Sequence, residues 1–163
     1  MIELISLFRS FGHAISGFFS AVVTERNLRI HLTALVLVVL FGNYAQLSSV
    51  HWCLVVLCCM AVISLELINT SLEYLCDCVT TEFNPKIRLA KDISAGAVLI
   101  SALGSVVIAL LLLIGDNRYL DNISAALLQN SSRLAVLSVT ILAGILFVFL
   151  PSWFQKHNRK RRV

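Results

Sequence analysis

The segment Leu65–Asp77 reads LELINTSLEYLCD and sets Glu66, Asn69, Glu73 and Asp77 at steps of three and four. On an α-helix, turning about 100° per residue, those side chains fall within an arc of about 80°. Leu67, Ile68 and Leu75 occupy the opposite face. One stripe therefore carries carboxylates and an amide beside an apolar surface. Such a stripe can take a proton from a hydroxyl group. It can also hold a hard cation on oxygen ligands, alongside the phosphates of a substrate. Glu25, in VVTERNLRIH, supplies another carboxylate. Lys91 and Asp92, in LAKDISAGAVL, supply a cation for phosphates and a further acid.

These residues need helices in a membrane to position them. Of the 163 residues, 58% are hydrophobic and 13% are charged, and the mean hydropathy is +0.88. A water-soluble domain carries about 25% charged residues, so this chain has no polar shell to spare. Residues 3–23 repeat Leu4, Phe8, Phe11, Ile15, Phe18 and Val22 as one apolar stripe, interrupted by Arg9, Ser10, Gly12, His13 and Ser16. That pattern predicts an amphipathic helix lying on the membrane surface. Glu3 and the broken apolar run argue against a signal peptide. Spanning a bilayer takes about 20 helical residues. Candidate spans run over Leu28–Leu47, His51–Val79 (apolar to Ser71), Lys91–Ile114 and Arg133–Phe154. Between the last two lies a polar connection, Gly115–Ser132, with a short helix expected over Leu120–Leu128. The expected fold is thus all-α and integral to the membrane. A surface helix and three core spans fill residues 1–115, and residues 116–163 add an extension with a fourth span and a basic tail.

Counting about 20 residues from Trp52 reaches Ser71. Glu66 and Asn69 then lie just inside the edge of the hydrocarbon, and Glu73 and Asp77 at or beyond the headgroups. A carboxyl group inside a bilayer is costly and calls for a function.

Lys and Arg set the orientation. With the N-terminus inside, Arg118 and Arg133 are the only two of the thirteen Lys and Arg residues that face outward. Four spans with both termini cytoplasmic satisfy the positive-inside rule. Three spans would place Lys156 and Arg159–Arg162 outside, against it. The basic residues sit at the ends of apolar runs and in that tail, which suits anionic lipid and not nucleic acid. Arg26 and Arg29 read as topology signals. Ala97, Ser101 and Ser105, with Gly104 beside them, suit close helix packing in lipid. The five cysteines are odd in number, and no second ligand pair follows Cys76 and Cys78 at zinc-site spacing. Neither a GxxxxGK loop nor a GxGxxG loop occurs.

The segments SFGHAISGFFSAVVTERNLRIH, ELINTSLEYLCD and AKDISAGAVL resemble the prokaryotic diacylglycerol kinase family, which includes undecaprenol kinases. The resemblance covers roughly Phe8–Leu113. It implies a cell-membrane lipid kinase that transfers phosphate from ATP, with Mg²⁺, to the primary hydroxyl of diacylglycerol or undecaprenol. It also implies a homotrimer with sites shared between subunits. Glu66 matches the general base, with Asn69 beside it on the lipid side. Glu25 and Glu73 match the residues that hold Mg²⁺ of the nucleotide. Asp77, Lys91 and Asp92 match polar positions around the nucleotide. His13 stands where an aromatic residue near the adenine is common. ERNLRIH is closer to the undecaprenol kinase branch. The fourth span departs from the compact family pattern.

Two other classes place carboxylates in a membrane. One is a non-catalytic protein whose Glu66 and Asn69 bond between helices. The other is an ion or proton relay, which needs acids through the full depth. The outer halves of the spans carry none.

Overall fold

A computed structural model of the chain describes residues 2–80 and 82–149. The described residues form six helices and no strand. They are α1 (Ile2–Thr24), α2 (Arg26–Ala45), α3 (Ser49–Val79), α4 (Pro85–Gly115), α5 (Asn117–Leu128) and α6 (Ser131–Phe149). Four of these, α2, α3, α4 and α6, are long and apolar enough to cross a membrane. The chain is an all-α integral membrane protein.

Apolar side chains are mostly turned outward, as a lipid solvent permits. On α1, Phe8, Phe11, Ile15 and Phe19 are exposed. Only its last turns pack inward, where Ala21, with Phe18 and Val22, joins Leu28 and Leu32 of α2 and Ile63 and Leu67 of α3. The α1 stripe is therefore free to face a bilayer surface. The break to α2 falls at Glu25, whose backbone is extended and whose side chain makes no cap.

Helix ends differ from the sequence expectation where local chemistry sets them. The first span stops at Ala45, not Leu47, because Gln46 adopts a left-handed conformation with φ of 57°. Its amide, and that of Leu47, bond back to the carbonyls of Asn43 and Gly42. Gly42 is required there, since a Cβ would meet the Trp52 ring at 2.7 Å. The third span begins at Pro85, six residues before Lys91, because Asn84 caps it and proline suits its first turn. Charge marks where lipid ends, while the helix itself runs on through the headgroups. At 31 residues each, α3 and α4 are about 46 Å long and outreach a hydrocarbon core of about 30 Å.

The extension packs against α2. Asp116 caps α5 by accepting from the Arg118 amide at 3.0 Å, so the helix starts at Asn117 and not at Leu120. The Arg118 side chain, bonded to Asp116, holds that carboxyl below the ordinary range. Tyr119 is buried, with its hydroxyl 2.6 Å from His51 Nδ1. Asn122 Nδ2 donates to the carbonyl of Ala45 at 2.9 Å, an otherwise orphaned helix end. α6 then runs antiparallel to α2. Arg133 lies over the Tyr44 ring near one end, and Arg26 lies over Phe149 near the other. The last residues of the expected fourth span, Leu150–Phe154, and the basic tail lie outside the described residues.

Gly144 is where α6 meets α2 most closely. A Cβ there would fall on the Thr33 methyl group. Gly144→Ala is expected to destabilise the fold by about 1–3 kcal/mol. Thr33→Ser removes that methyl and should restore most of the loss. Thermal unfolding of both variants in detergent checks this.

Candidate active site

The carboxylate stripe lies at the end of the bundle where α1, α2, α3 and α4 meet. Glu66 is only 3% exposed, and Asn69 only 5%. Glu66 and Arg29 are the buried charged side chains among the described residues. No side chain among the described residues hydrogen-bonds Glu66, so its carboxyl group is free to exchange a proton. Glu73 and Glu25 stand near enough for their charges to bear on it. Helical spacing puts Glu73 there, and the extended backbone of Glu25 turns that residue back across the α1–α2 junction.

A hydrogen-bonded chain holds the stripe to α4. Ser94 Oγ donates to Asn69 Oδ1 at 2.6 Å. Asn69 Nδ2 donates to Glu73 Oε1 at 2.9 Å. The amide is thus spent between a hydroxyl and a carboxylate, and it fixes one oxygen of Glu73. One turn further, Lys91 and Asp77 form an ion pair across α3 and α4. Glu25 is held in its turn: the Tyr74 hydroxyl donates to Glu25 Oε1 at 3.2 Å, and Thr24 Oγ1 lies 2.6 Å from the same hydroxyl.

The structure brings together Glu25, Glu66, Asn69 and Glu73, with Asp77 and Lys91 just beyond them. It does not bring Asp92 to the same face. Adjacent helical residues diverge by about 100°, and Asp92 turns to Arg88 at 3.8 Å, both well exposed. Such an exposed pair contributes little. His13 is exposed on α1, about 18 Å along the helix from Glu25. Ser94 and Tyr74 join the site without having been picked out in the sequence. Ser94 had a signal, standing one turn after Lys91 on the same face. Tyr74, next to Glu73, had none.

Arg29 is more than a topology signal. It is buried, and its Nη1 donates to the carbonyls of Val22 and Val23 at 3.0 and 2.9 Å. These are the orphan acceptors at the end of α1. Its Nε–H is buried without a partner, so the cation keeps a donor in reserve.

The Mg²⁺ implied by the resemblance can be tested against this donor set. Among the described residues no group of three or more His, Cys, Asp or Glu could hold an ion. Mg²⁺ does not need one, because it is commonly held by one or two carboxylates plus substrate phosphates and water. Glu25 and Glu73 each have one oxygen engaged, by Tyr74 and Asn69, and a second oxygen left to bind. They fit an ion that arrives on its nucleotide.

Comparison with known proteins bears on the family. The family model described as prokaryotic diacylglycerol kinase matches residues 12–113, well over half of the chain. The chain is 38% identical over 110 residues to the undecaprenol kinase of Bacillus subtilis (strain 168), covering 68% of this chain and 89% of that one. It is 35% identical over 104 residues to a diacylglycerol kinase of Synechocystis, covering 63% of this chain and 59% of the relative. A diacylglycerol kinase of Helicobacter pylori is 30% identical over 94 residues, 58% of this chain and 73% of the relative.

Proposed function

The chain belongs to the prokaryotic diacylglycerol kinase family and is a membrane lipid kinase, and from that premise we propose that it phosphorylates undecaprenol with magnesium ATP at the cytoplasmic interface. The observation that carries the reading is Glu66, buried, free of hydrogen bonds and flanked by Glu25 and Glu73.

A primary hydroxyl at the edge of the hydrocarbon meets Glu66 at its own depth. Glu66 takes the hydroxyl proton as the oxygen attacks the γ-phosphorus. An oxygen–phosphorus bond forms in line with the bond that breaks to release ADP. Glu25 and Glu73 would hold Mg²⁺, which supplies charge neutralisation at the phosphates when bound. Asn69, locked by Ser94, orients Glu73. Lys91 faces the phosphate side from its pair with Asp77, and His13 would border the nucleotide from further out along α1.

Orientation follows from charge. Arg26, Arg29, Lys86, Arg88 and Lys91 share the end that carries the site, while Arg118 and Arg133 mark the other. By the positive-inside rule this pattern supports a cytoplasmic site, and cytoplasmic termini, in the cell membrane. The reading includes a homotrimer, supported by the exposed length of α4 with Ala97 and Gly104 on its surface.

Undecaprenol is preferred because ERNLRIH leans to that branch and because the Bacillus relative bears that name. Purified protein in mixed micelles, offered labelled ATP, Mg²⁺ and either undecaprenol or diacylglycerol, decides it. Label is expected in undecaprenol. Label in diacylglycerol alone would reassign the acceptor, and label in neither would sink the reading.

A further inference from the structure

A groove of about 270 Å³ runs between α2 and α6, lined by Leu32, Thr33, Val36, Thr140, Gly144 and Phe147, with Ala143 on its rim. Its lining is almost wholly apolar, since the hydroxyls of Thr33 and Thr140 are turned to the carbonyls of Arg29 and Val136 in their own helices. The close approach of Gly144 to Thr33 closes its floor. α6 lies beyond the stretch matched by the family model, so the extension supplies one wall of the groove and α2 the other.

Its depth can be counted along the helices. Leu32 and Val36 lie about 9 and 15 Å from the start of α2, and Phe147 and Thr140 about 3 and 14 Å from the end of α6. Those two ends meet where Arg26 covers the Phe149 ring at 5.1 Å. The groove therefore occupies the half of the bilayer adjoining the candidate site, in a hydrocarbon core of about 30 Å. One of its lining residues also borders the apolar cluster beside that site. Leu32 lines the groove and packs against the cluster of Ala21, Leu28 and Ile63, and Ile63 lies one turn before Glu66 on α3. An apolar cavity of about 150 Å³ holds one benzene ring, so the groove has room for roughly ten carbons of one chain.

We propose that α2 and α6 seat the single hydrocarbon chain of the acceptor alcohol, so that the extension selects the acceptor by its tail. This rests on the kinase reading above. A lipid with its hydroxyl at Glu66 must send its tail down into this half of the bilayer. Leu32 is the step from the site into the groove. A one-chain alcohol of isoprene units fits a single open trough, and a diacyl lipid would leave its second chain outside.

The test uses the full chain in mixed micelles, with undecaprenol and a prenyl alcohol of one unit, whose five carbons are too few to fill the groove. Ala143→Phe fills the groove from its exposed rim, and Leu142→Phe adds bulk on the outward face of the same helix. The wild type should favour the long alcohol. Its long-to-short ratio of kcat/KM should fall about tenfold in Ala143→Phe and hold in Leu142→Phe. An unchanged ratio in Ala143→Phe, or an equal fall in Leu142→Phe, overturns the proposal. So does a proportionate loss of both activities in Ala143→Phe and in the milder Ala143→Leu, which would make α6 a packing element only. A wild type that phosphorylates neither alcohol fails the kinase reading first, and the groove assignment with it.

Discussion

Glu66→Gln is expected to lower the turnover of lipid phosphorylation by about 10²–10⁴-fold, the range a positioned general base supplies. The variant should nonetheless fold. Glutamine has the shape of glutamate, and no hydrogen bond to Glu66 is lost. It also removes a buried charge from between two other carboxylates, Glu25 and Glu73. A residue retained for packing would behave in the opposite way, since taking away its interactions would lower stability. The expected pair of results is therefore a nearly dead enzyme whose melting temperature in detergent holds or rises by about 2–4 °C. Full activity would remove Glu66 from the chemistry. A loss of activity together with a matching loss of stability would return it to a structural role.

That site could be read in part without coordinates because its members share one helix face. Glu66, Asn69 and Glu73 lie on one α3 stripe, and a period of 3.6 predicts such a face directly. Their shared depth followed from the length of an apolar run. Contacts between helices were not legible in the same way. Ser94 completes the Asn69–Glu73 link from α4, and Tyr74 reaches Glu25 from α3. Nothing in either local sequence says which neighbour each helix will turn toward. Lys91 and Asp92 illustrate the limit within two residues. Both were expected at the nucleotide, yet one pairs with Asp77 and the other turns away to Arg88.

The fold divides along the same line. The apolar runs revealed each spanning helix, because a bilayer demands length and apolarity before anything else. Their ends were less visible where a cap or a left-handed residue overrode the hydropathy, as at Asn84 and Gln46. The pairing of α6 with α2 had no sequence signal beyond a glycine. Gly144 reads as one small residue in an apolar run until Thr33 is seen opposite it. In the sequence Arg29 reads as a charge marking the inner face. Its burial against the end of α1 depends on a helix break at Glu25 that no periodicity announces.

Glu73→Gln should act on the nucleotide side and spare the lipid side. In the proposed reading its free oxygen would meet a phosphate-bound cation, and a neutral amide is a poor ligand for Mg²⁺. Electrostatic stabilisation of a transferring phosphoryl group is worth several kcal/mol in a desolvated site. The expected loss in kcat/KM for magnesium ATP is about 10²–10³-fold, with the KM for the lipid alcohol changed less than about threefold. Ser94→Ala tests the same point through a longer route. It leaves Glu73 charged but frees Asn69 to rotate, so its loss should be smaller, about three- to tenfold, and confined to the same parameter. Steady-state rates measured with each substrate varied in turn separate these outcomes. If Glu73→Gln raised the lipid KM and left the nucleotide parameters alone, the stripe would run the other way. Glu73 would then belong to the acceptor, and the cation would have to be sought at Asp77.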